Sequence, residues 1–163
     1  MIYIIMILSF LLEGIVTNLV NYQSLLIPAF TITSLVIIYP YFNKEKRHHF
    51  FIASAILGIC YDIVYTNSLF INTFTFALCS LIILLIYNFI SHNFINTMLL
   101  NIFFIALFRS LSYGLLILFR HMSFDKNIIL SGILSSLILN VVYGLILYFV
   151  CDRLSYKLNI IKN

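Results

Sequence analysis

The sequence predicts an all-α, polytopic membrane protein with about six transmembrane helices. Of its 163 residues, 63% are hydrophobic and only 9% are charged, and the mean hydropathy is +1.12. A soluble domain needs about 25% charged residues to cover its surface, so most of the solvent around this chain must be lipid. The apolar runs are long and continuous, whereas transmembrane β-strands alternate apolar and polar residues over about 10 positions.

Length limits the architecture to one compact bundle. A spanning helix needs about 20 apolar residues, so six helices use roughly 120 residues. We therefore expect a single transmembrane domain over residues 1–163, with short loops and no soluble domain. Polar breaks divide the chain into six predicted helices, which are Ile2–Leu19, Leu25–Phe42, Phe50–Tyr65, Thr73–Ile90, Met98–Phe119 and Ile128–Cys151.

Each predicted boundary has a local reason. The first apolar run lacks a basic region before it and a small-residue cleavage site after it, so we interpret it as a retained helix. The uncharged loop Val20–Ser24 separates it from the second helix, whose first turn tolerates Pro28. The remaining helices follow four polar segments, which are 43–49, 66–72, 91–97 and 120–127.

Basic residues predict the orientation of the bundle. Cytoplasmic loops carry an excess of Lys and Arg. Six of these residues fall after the second helix or in the carboxyl-terminal tail, namely Lys44, Lys46, Arg47, Arg153, Lys157 and Lys162. Only Arg120 and Lys126 fall on the opposite side. The bias predicts a multi-pass membrane protein with both termini in the cytoplasm.

Three ionisable residues, Glu13, Asp62 and Arg109, lie inside predicted helices. Each costs about 2.5–3.5 kcal/mol at a helix centre, and such residues usually face the interior and pair. At 1.5 Å per residue, all three lie about 17–18 Å from the cytoplasmic boundary. The shared level predicts an Asp62–Arg109 pair, with Glu13 as a competitor or a third member. The trio either braces the bundle or has a direct function.

Small and polar residues recur every four positions on two predicted helices. This spacing places them on one face, where small residues let helix backbones approach closely in lipid. Such a face serves either packing within the bundle or docking of another membrane protein. The third helix carries Ser54, Gly58 and Asp62, and the sixth carries Gly132, Ser136, Asn140 and Gly144; Asn101 shares a face of the fifth helix with Arg109.

Recognisable catalytic motifs are absent from the sequence. It contains no GxSxG, HExxH, Walker A or GxGxxG pattern, and its five carboxylates are too few for a paired-aspartate metal site. We therefore expect neither enzymatic activity nor a metal or cofactor. The basic cluster Lys44–His49 is typical of a loop facing anionic lipid headgroups, and the positive charge is read as loop bias rather than as nucleic-acid binding.

One stretch resembles the MreD family of bacterial rod shape-determining membrane proteins. It comprises Ala55–Ile63, with Gly58 and Asp62 in a segment similar to the family's GLxxD pattern, and the turn Tyr65–Leu69. The Leu-Ile-Pro start of the second helix is also similar. Family members often carry glycine where this chain has Phe70. The resemblance implies a scaffold that binds MreC and couples MreB filaments to cell-wall synthases such as RodA and its transpeptidase. Of the residues in the family's pattern, only Gly58 and Asp62 have matching positions in this chain.

The alternative is a substrate-binding membrane subunit of an energy-coupling-factor vitamin transporter. MreD resembles these subunits in size and helix number, so the fold is expected to be similar to theirs. They typically show an alanine-rich stripe in the first helix, but Ile2–Leu19 contains no alanine. This difference favours the scaffold.

Overall fold

The computed structural model describes residues 2–19, 27–42, 47–66, 70–90, 93–120 and 123–157. Within these ranges the chain is helical and contains no strand, as predicted. The predicted loop at 20–24, basic residues 44 and 46, turn residues 67–69 and Lys162 lie outside them. Six α-helices are described: α1 (Ile2–Leu19), α2 (Phe30–Ile38), α3 (Arg47–Tyr61), α4 (Ile71–Ile86), α5 (Phe94–Leu118) and α6 (Lys126–Lys157).

Two helices end in a different helical geometry. A 3₁₀ turn, Tyr39–Tyr41, extends α2, and a π-helical turn, Asp62–Thr66, extends α3. Four helical segments are long and apolar enough to cross a membrane, namely α1, α3 with its π turn, α5 and α6. The helix Phe30–Tyr41 covers only about 18 Å at 1.5 Å per residue, which is less than a hydrocarbon core of about 30 Å.

Successive helices alternate in direction. The ring centroids of Tyr39 and Phe50 lie 5.0 Å apart, which places the end of α2 beside the start of α3. Similarly, Phe94 at the start of α5 lies 5.2 Å from Tyr148 near the end of α6. One end of the bundle thus holds Arg47 and the last turns of α6, with Arg153 and Lys157, and we call it the basic end.

The short helix α2 occupies the centre of the bundle. Every residue from Phe30 to Ile38 is buried, and α2 contacts α1, α4, α5 and α6. A helix that is apolar on all faces is stable only when it is enclosed on all sides. The surrounding helices expose large apolar side chains instead, including Ile4, Leu11, Ile138 and Ile146, as expected of surfaces that face lipid.

The start of α2 differs from the prediction. The sequence predicted a helix from Leu25 with Pro28 in its first turn, but α2 begins at Phe30, and 27–29 form no regular structure. The three residues that precede the helix lie against α6, where the Ile27 N–H donates to the Ser135 carbonyl at 3.3 Å. Backbone groups in this position need partners other than an α-helical ladder, and polar side chains of other helices supply them.

Candidate functional site

The candidate site is the start of α2, where the non-helical backbone at 27–29 enters the bundle. Asn140 of α6 satisfies two backbone groups there: its Oδ1 accepts the Ala29 N–H at 2.7 Å, and its Nδ2 donates to the Ile27 carbonyl at 3.2 Å. A buried backbone group without a partner costs free energy comparable to a lost hydrogen bond. Asn140 is itself fully buried, so its amide holds this segment against α6 through two hydrogen bonds.

Glu13 of α1 caps the N-terminus of α2. Its Oε2 accepts both the Thr31 N–H at 2.8 Å and the Thr31 Oγ1 hydroxyl at 2.6 Å. Its Oε1 accepts the Tyr61 hydroxyl at 2.8 Å. The residue at the N-cap position is Ala29, whose side chain cannot accept a hydrogen bond, so the carboxylate comes from another helix. The partial positive charge of a helix N-terminus favours such a carboxylate.

Arg109 of α5 reaches the same segment with the opposite charge. Its Nη2 donates to the Pro28 carbonyl at 2.9 Å, and its Nε donates to the Ser136 hydroxyl at 2.8 Å. Arg109 also interacts electrostatically with Glu13. The segment thus lies between a carboxylate that accepts its N–H group and a guanidinium that donates to its carbonyl.

Asp62 caps the second short helix, α4, in a parallel way. Its Oδ2 accepts the Thr73 N–H at 2.8 Å and the Thr73 hydroxyl at 2.7 Å. Its Oδ1 accepts the N–H of Asn72 at 2.9 Å and the side-chain amide of Asn72 at 3.0 Å. The N-cap position is again a residue that cannot cap, Phe70, which adopts the left-handed conformation with φ 66°.

The predicted Asp62–Arg109 pair does not form. The Arg109 hydrogen bonds go to Pro28 and Ser136, while both carboxylate oxygens of Asp62 accept from the start of α4. The physical reason is that the starts of two short helices expose backbone groups to these side chains: Arg109 donates to the Pro28 carbonyl before α2, and Asp62 accepts the first N–H groups of α4. Glu13, predicted as a competitor or a third member, bonds to Thr31 at the same helix start that Arg109 reaches through the Pro28 carbonyl.

The stripe Ser54, Gly58 and Asp62 of α3 faces α4. A Cβ added at Gly58 would lie 2.6 Å from the Thr73 Cα and 3.1 Å from the Asn72 carbonyl oxygen. Ser54 is fully buried. Only a residue without a side chain lets α4 start this close to α3, which brings Thr73 within reach of Asp62. This stripe therefore serves packing within the bundle.

The stripe on α6 divides into two parts. Ser136, Asn140 and Gly144 face α2 and α5, and a Cβ at Gly144 would lie 2.6 Å from the Asn101 Nδ2. Asn101 is fully buried against them, with its Nδ2 3.5 Å from the Asn140 carbonyl. Gly132, in contrast, has no described atom within 4 Å of an added Cβ. Gly132 therefore lies outside the face that packs within the described bundle.

Sequence reasoning missed the partners of the two carboxylates. Thr31, Tyr61, Asn72 and Thr73 contribute the donors that Glu13 and Asp62 accept, yet single Thr, Asn and Tyr residues in apolar runs are common. No signal in the sequence indicated them, because the predicted helix starts Leu25 and Thr73 follow Ser24 and Asn72, which are themselves good N-cap residues. The structure instead begins the two helices after Ala29 and Phe70. A short helix that begins after alanine or phenylalanine needs its cap from elsewhere in the molecule.

Comparison with known proteins agrees with the resemblance. A family model described as rod shape-determining protein MreD matches residues 1–158. No curated protein and no solved structure matches the chain significantly. Within the described ranges, no group of three or more His, Cys, Asp or Glu residues converges as a set of metal ligands.

Proposed function

This chain belongs to the MreD family of rod shape-determining proteins, and we propose that it acts as a non-enzymatic membrane scaffold of the cell-elongation machinery. The family gives it a role in rod shape determination and a place in a membrane. The scaffold would bind MreC within the membrane and couple MreB filaments to the peptidoglycan synthases, RodA and its transpeptidase partner. The observation that carries the proposal is the family match over nearly the whole chain.

The use of the polar side chains supports a scaffold. Glu13, Asp62, Arg109 and Asn140 all bond to backbone groups at the starts of α2 and α4. A buried charge inside a membrane protein otherwise marks an ion or proton path as a default hypothesis. Here these groups bond to backbone at the starts of α2 and α4, which supports a bracing role for them within a scaffold.

We further propose six membrane-spanning segments with both termini in the cytoplasm of a bacterial cell. The alternating helices put Arg47, Arg153 and Lys157 at one end and Arg120 and Lys126 at the other. The positive-inside rule assigns the basic end to the cytoplasm. Reporter fusions after residue 45 and after residue 163 should both report the cytoplasm; opposite locations would contradict this topology.

Co-purification with an MreC-like single-span protein tests the scaffold. Gly132→Leu adds bulk on the open part of the α6 face, so it should lower the captured partner at least fivefold if that face docks the partner. Gly114→Leu is the matched control, because Gly114 of α5 also has no described atom within 4 Å of an added Cβ. Stable wild-type protein that captures no partner from membranes containing MreC would overturn the scaffold proposal.

The transporter alternative makes a different prediction for the same purified protein. A vitamin-binding subunit needs a ligand cavity within the bundle, whereas α2 fills the centre of this one, and all nine of its residues are buried. Mass spectrometry of the purified chain should therefore find no stoichiometric vitamin. Retention of one would favour transport over the scaffold.

A further inference from the structure

The apolar faces that the bundle turns to lipid differ in height from one side to the other. Around the central helix α2, α3 contacts α4, α4 contacts α5, and α5 contacts α6, while α1 and α3 border a common groove. The helices α1 and α3 therefore form one side of the bundle, and α5 and α6 form another. Both sides expose large apolar side chains.

The α5–α6 side carries a tall apolar face. Exposed large apolar side chains run over residues 95–118 on α5 and 128–150 on α6. At 1.5 Å per residue these stretches measure about 35 Å and about 33 Å. They lie level with each other, because Phe94 before the first contacts Tyr148 near the end of the second. This side therefore exceeds a hydrocarbon core of about 30 Å.

The α1–α3 side carries a shorter apolar face. The helix α3 starts with Arg47 and two histidines, so its apolar part begins at Phe50, and its exposed apolar side chains end at Val64. This part measures at most about 21 Å at 1.5 Å per residue. On α1 the exposed apolar side chains run over residues 3–19, which is about 24 Å. The residues that follow both stretches in the sequence are mostly polar.

Tilting the bundle does not remove this shortfall. A tilted helix spans less of the bilayer normal, so tilt fits the tall α5–α6 face to the membrane but shortens the α1–α3 face further. A short apolar stretch is accommodated when the bilayer thins beside it or when flanking side chains reach towards the interface. The exposed flanking residues at the start of α3 are His48 and His49, whose side chains reach less far than those of lysine or arginine. Thinning of the bilayer must therefore supply most of the match.

The side chains on the short face favour lipid as its neighbour. Contacts between membrane helices are enriched in small residues, which let the backbones approach closely. Gly58, the residue of α3 that allows such an approach, faces α4 within the bundle. The large apolar side chains that α3 exposes are all β-branched, namely Ile52, Ile56, Ile59, Ile63 and Val64. Fluid acyl chains cover such a surface without a specific fit.

We propose that the α1–α3 face holds a locally thinned bilayer and selects phospholipids whose acyl chains are shorter than those beside the α5–α6 face. This selection is independent of the scaffold function, since it concerns the length of acyl chains and not a protein partner. It favours regions of a membrane in which the hydrocarbon core is thin, because mismatch sorts proteins among bilayers of different thickness.

Tryptophan fluorescence in bilayers of two chain lengths tests the proposal. The chain contains no tryptophan, so Ile59→Trp on α3 and Ile138→Trp on α6 each place a single probe at an exposed position near the middle of its face. Each full-length variant would be reconstituted in an equal mixture of dimyristoleoyl and dierucoyl phosphatidylcholine, with one lipid or the other brominated as a quencher. We expect the shorter lipid to be enriched at least twofold beside the α3 probe and not enriched beside the α6 probe.

Two results would overturn the proposal. Equal enrichment of the shorter lipid at the two probes would show that the faces do not differ in the lipid that they select. An α3 probe that neither brominated lipid quenches would show that protein, such as a second copy of the chain, covers the short face instead of lipid.

A second pair of variants changes the height of the short face. In the Ile59→Trp background, His48→Leu with His49→Leu extends the apolar part of α3 by about 3 Å, so the excess of the shorter lipid should fall by at least a third. His48→Gln with His49→Gln is the matched control, because it removes both imidazoles but keeps the positions polar, and it should leave the excess unchanged. Equal behaviour of the two pairs would mean that apolar height does not set the selection.

Discussion

The starts of α2 and α4 are both capped by a carboxylate, but the two carboxylates come from different distances along the chain. At each start one carboxylate oxygen accepts both the N–H and the hydroxyl of a threonine, Thr31 or Thr73. Asp62 lies in the π turn at the end of α3 and caps the next helix in the chain, α4, which packs against α3. Glu13 lies in α1 and reaches a helix that other helices enclose.

This difference predicts that the two helix starts depend on different parts of the bundle for their stability. The α4 cap is complete once α3 and α4 pack together, because the accepting carboxylate of Asp62, the donor groups of Asn72 and Thr73, and Gly58 all belong to these two helices and the π turn of α3. The start of α2 also needs Arg109 from α5 and Asn140 from α6. Its hydrogen bonds therefore form only when the whole bundle is assembled. A substitution at the start of α2 should destabilise more of the bundle than a substitution at the start of α4.

The largest expected effect is that of Glu13→Ala. It leaves the Thr31 N–H, the Thr31 hydroxyl and the Tyr61 hydroxyl without their acceptor. Leaving a buried donor without an acceptor costs about 1–3 kcal/mol per group, so we expect a total loss of about 3–5 kcal/mol. Thermal unfolding in detergent, followed by far-ultraviolet circular dichroism, should show the loss.

Glu13→Gln is the control for this change. Its amide oxygen still accepts from Thr31, and its amide nitrogen can donate to the Tyr61 hydroxyl, so it should recover a substantial part of the lost stability. If Glu13→Ala is as stable as the wild type, the start of α2 does not depend on the rest of the bundle more than the start of α4 does.

Asp62→Ala should cost less, about 2 kcal/mol, as expected for loss of a charged cap that accepts several hydrogen bonds. Its effect should also remain local. Amide hydrogen exchange should accelerate at the start of α4, including Asn72 and Thr73, while the start of α2 stays protected. Equal acceleration at both starts would show that the α4 cap is coupled to the whole bundle as well.

The sequence predicted the helices better than it predicted their polar contacts. All six α-helices appear near their predicted positions because long apolar runs in lipid leave few alternatives. The stripe around Gly58 was recognisable because small residues recur at the helical period. The pairing of Asp62 with Arg109 was wrong because it assumed continuous helices, in which charges have only each other as partners. Because α2 begins only at Phe30, backbone groups at 27–29 need partners outside an α-helix. The spacing of residues along the sequence does not reveal this need.

Gly58→Ala tests the close approach on which the α4 cap depends. The new Cβ would lie 2.6 Å from the Thr73 Cα, so α4 must shift away from α3 and weaken the Asp62 contacts. Overpacking of this kind costs about 1–3 kcal/mol, and we expect about 1.5 kcal/mol from thermal unfolding. Gly114→Ala is the control: it meets open space and should be neutral or slightly stabilising, since alanine favours helix. Equal effects of the two substitutions would mean that α3 and α4 are not held at contact distance.

The smallest expected effect is a gain, from Phe70→Gly at the N-cap of α4. Phe70 has φ 66° and its side chain is 67% exposed, so the substitution relieves left-handed strain and removes little packing. A non-glycine residue in such a conformation costs about 1–3 kcal/mol, whereas glycine loses about 0.5–1 kcal/mol more in conformational entropy on folding. The net gain should be about 0.5 kcal/mol or more, measured as a raised unfolding temperature.

Phe70→Ala separates the backbone contribution from the loss of the ring. Alanine removes the same aromatic surface but keeps the left-handed strain, so Phe70→Gly should be more stable than Phe70→Ala. If the two variants unfold at the same temperature, the backbone at Phe70 stores no strain. The α4 cap would then gain nothing from the glycine that family members often carry here. In that case the two helix starts would differ only in where their carboxylates come from, and not in how well their N-cap residues fit.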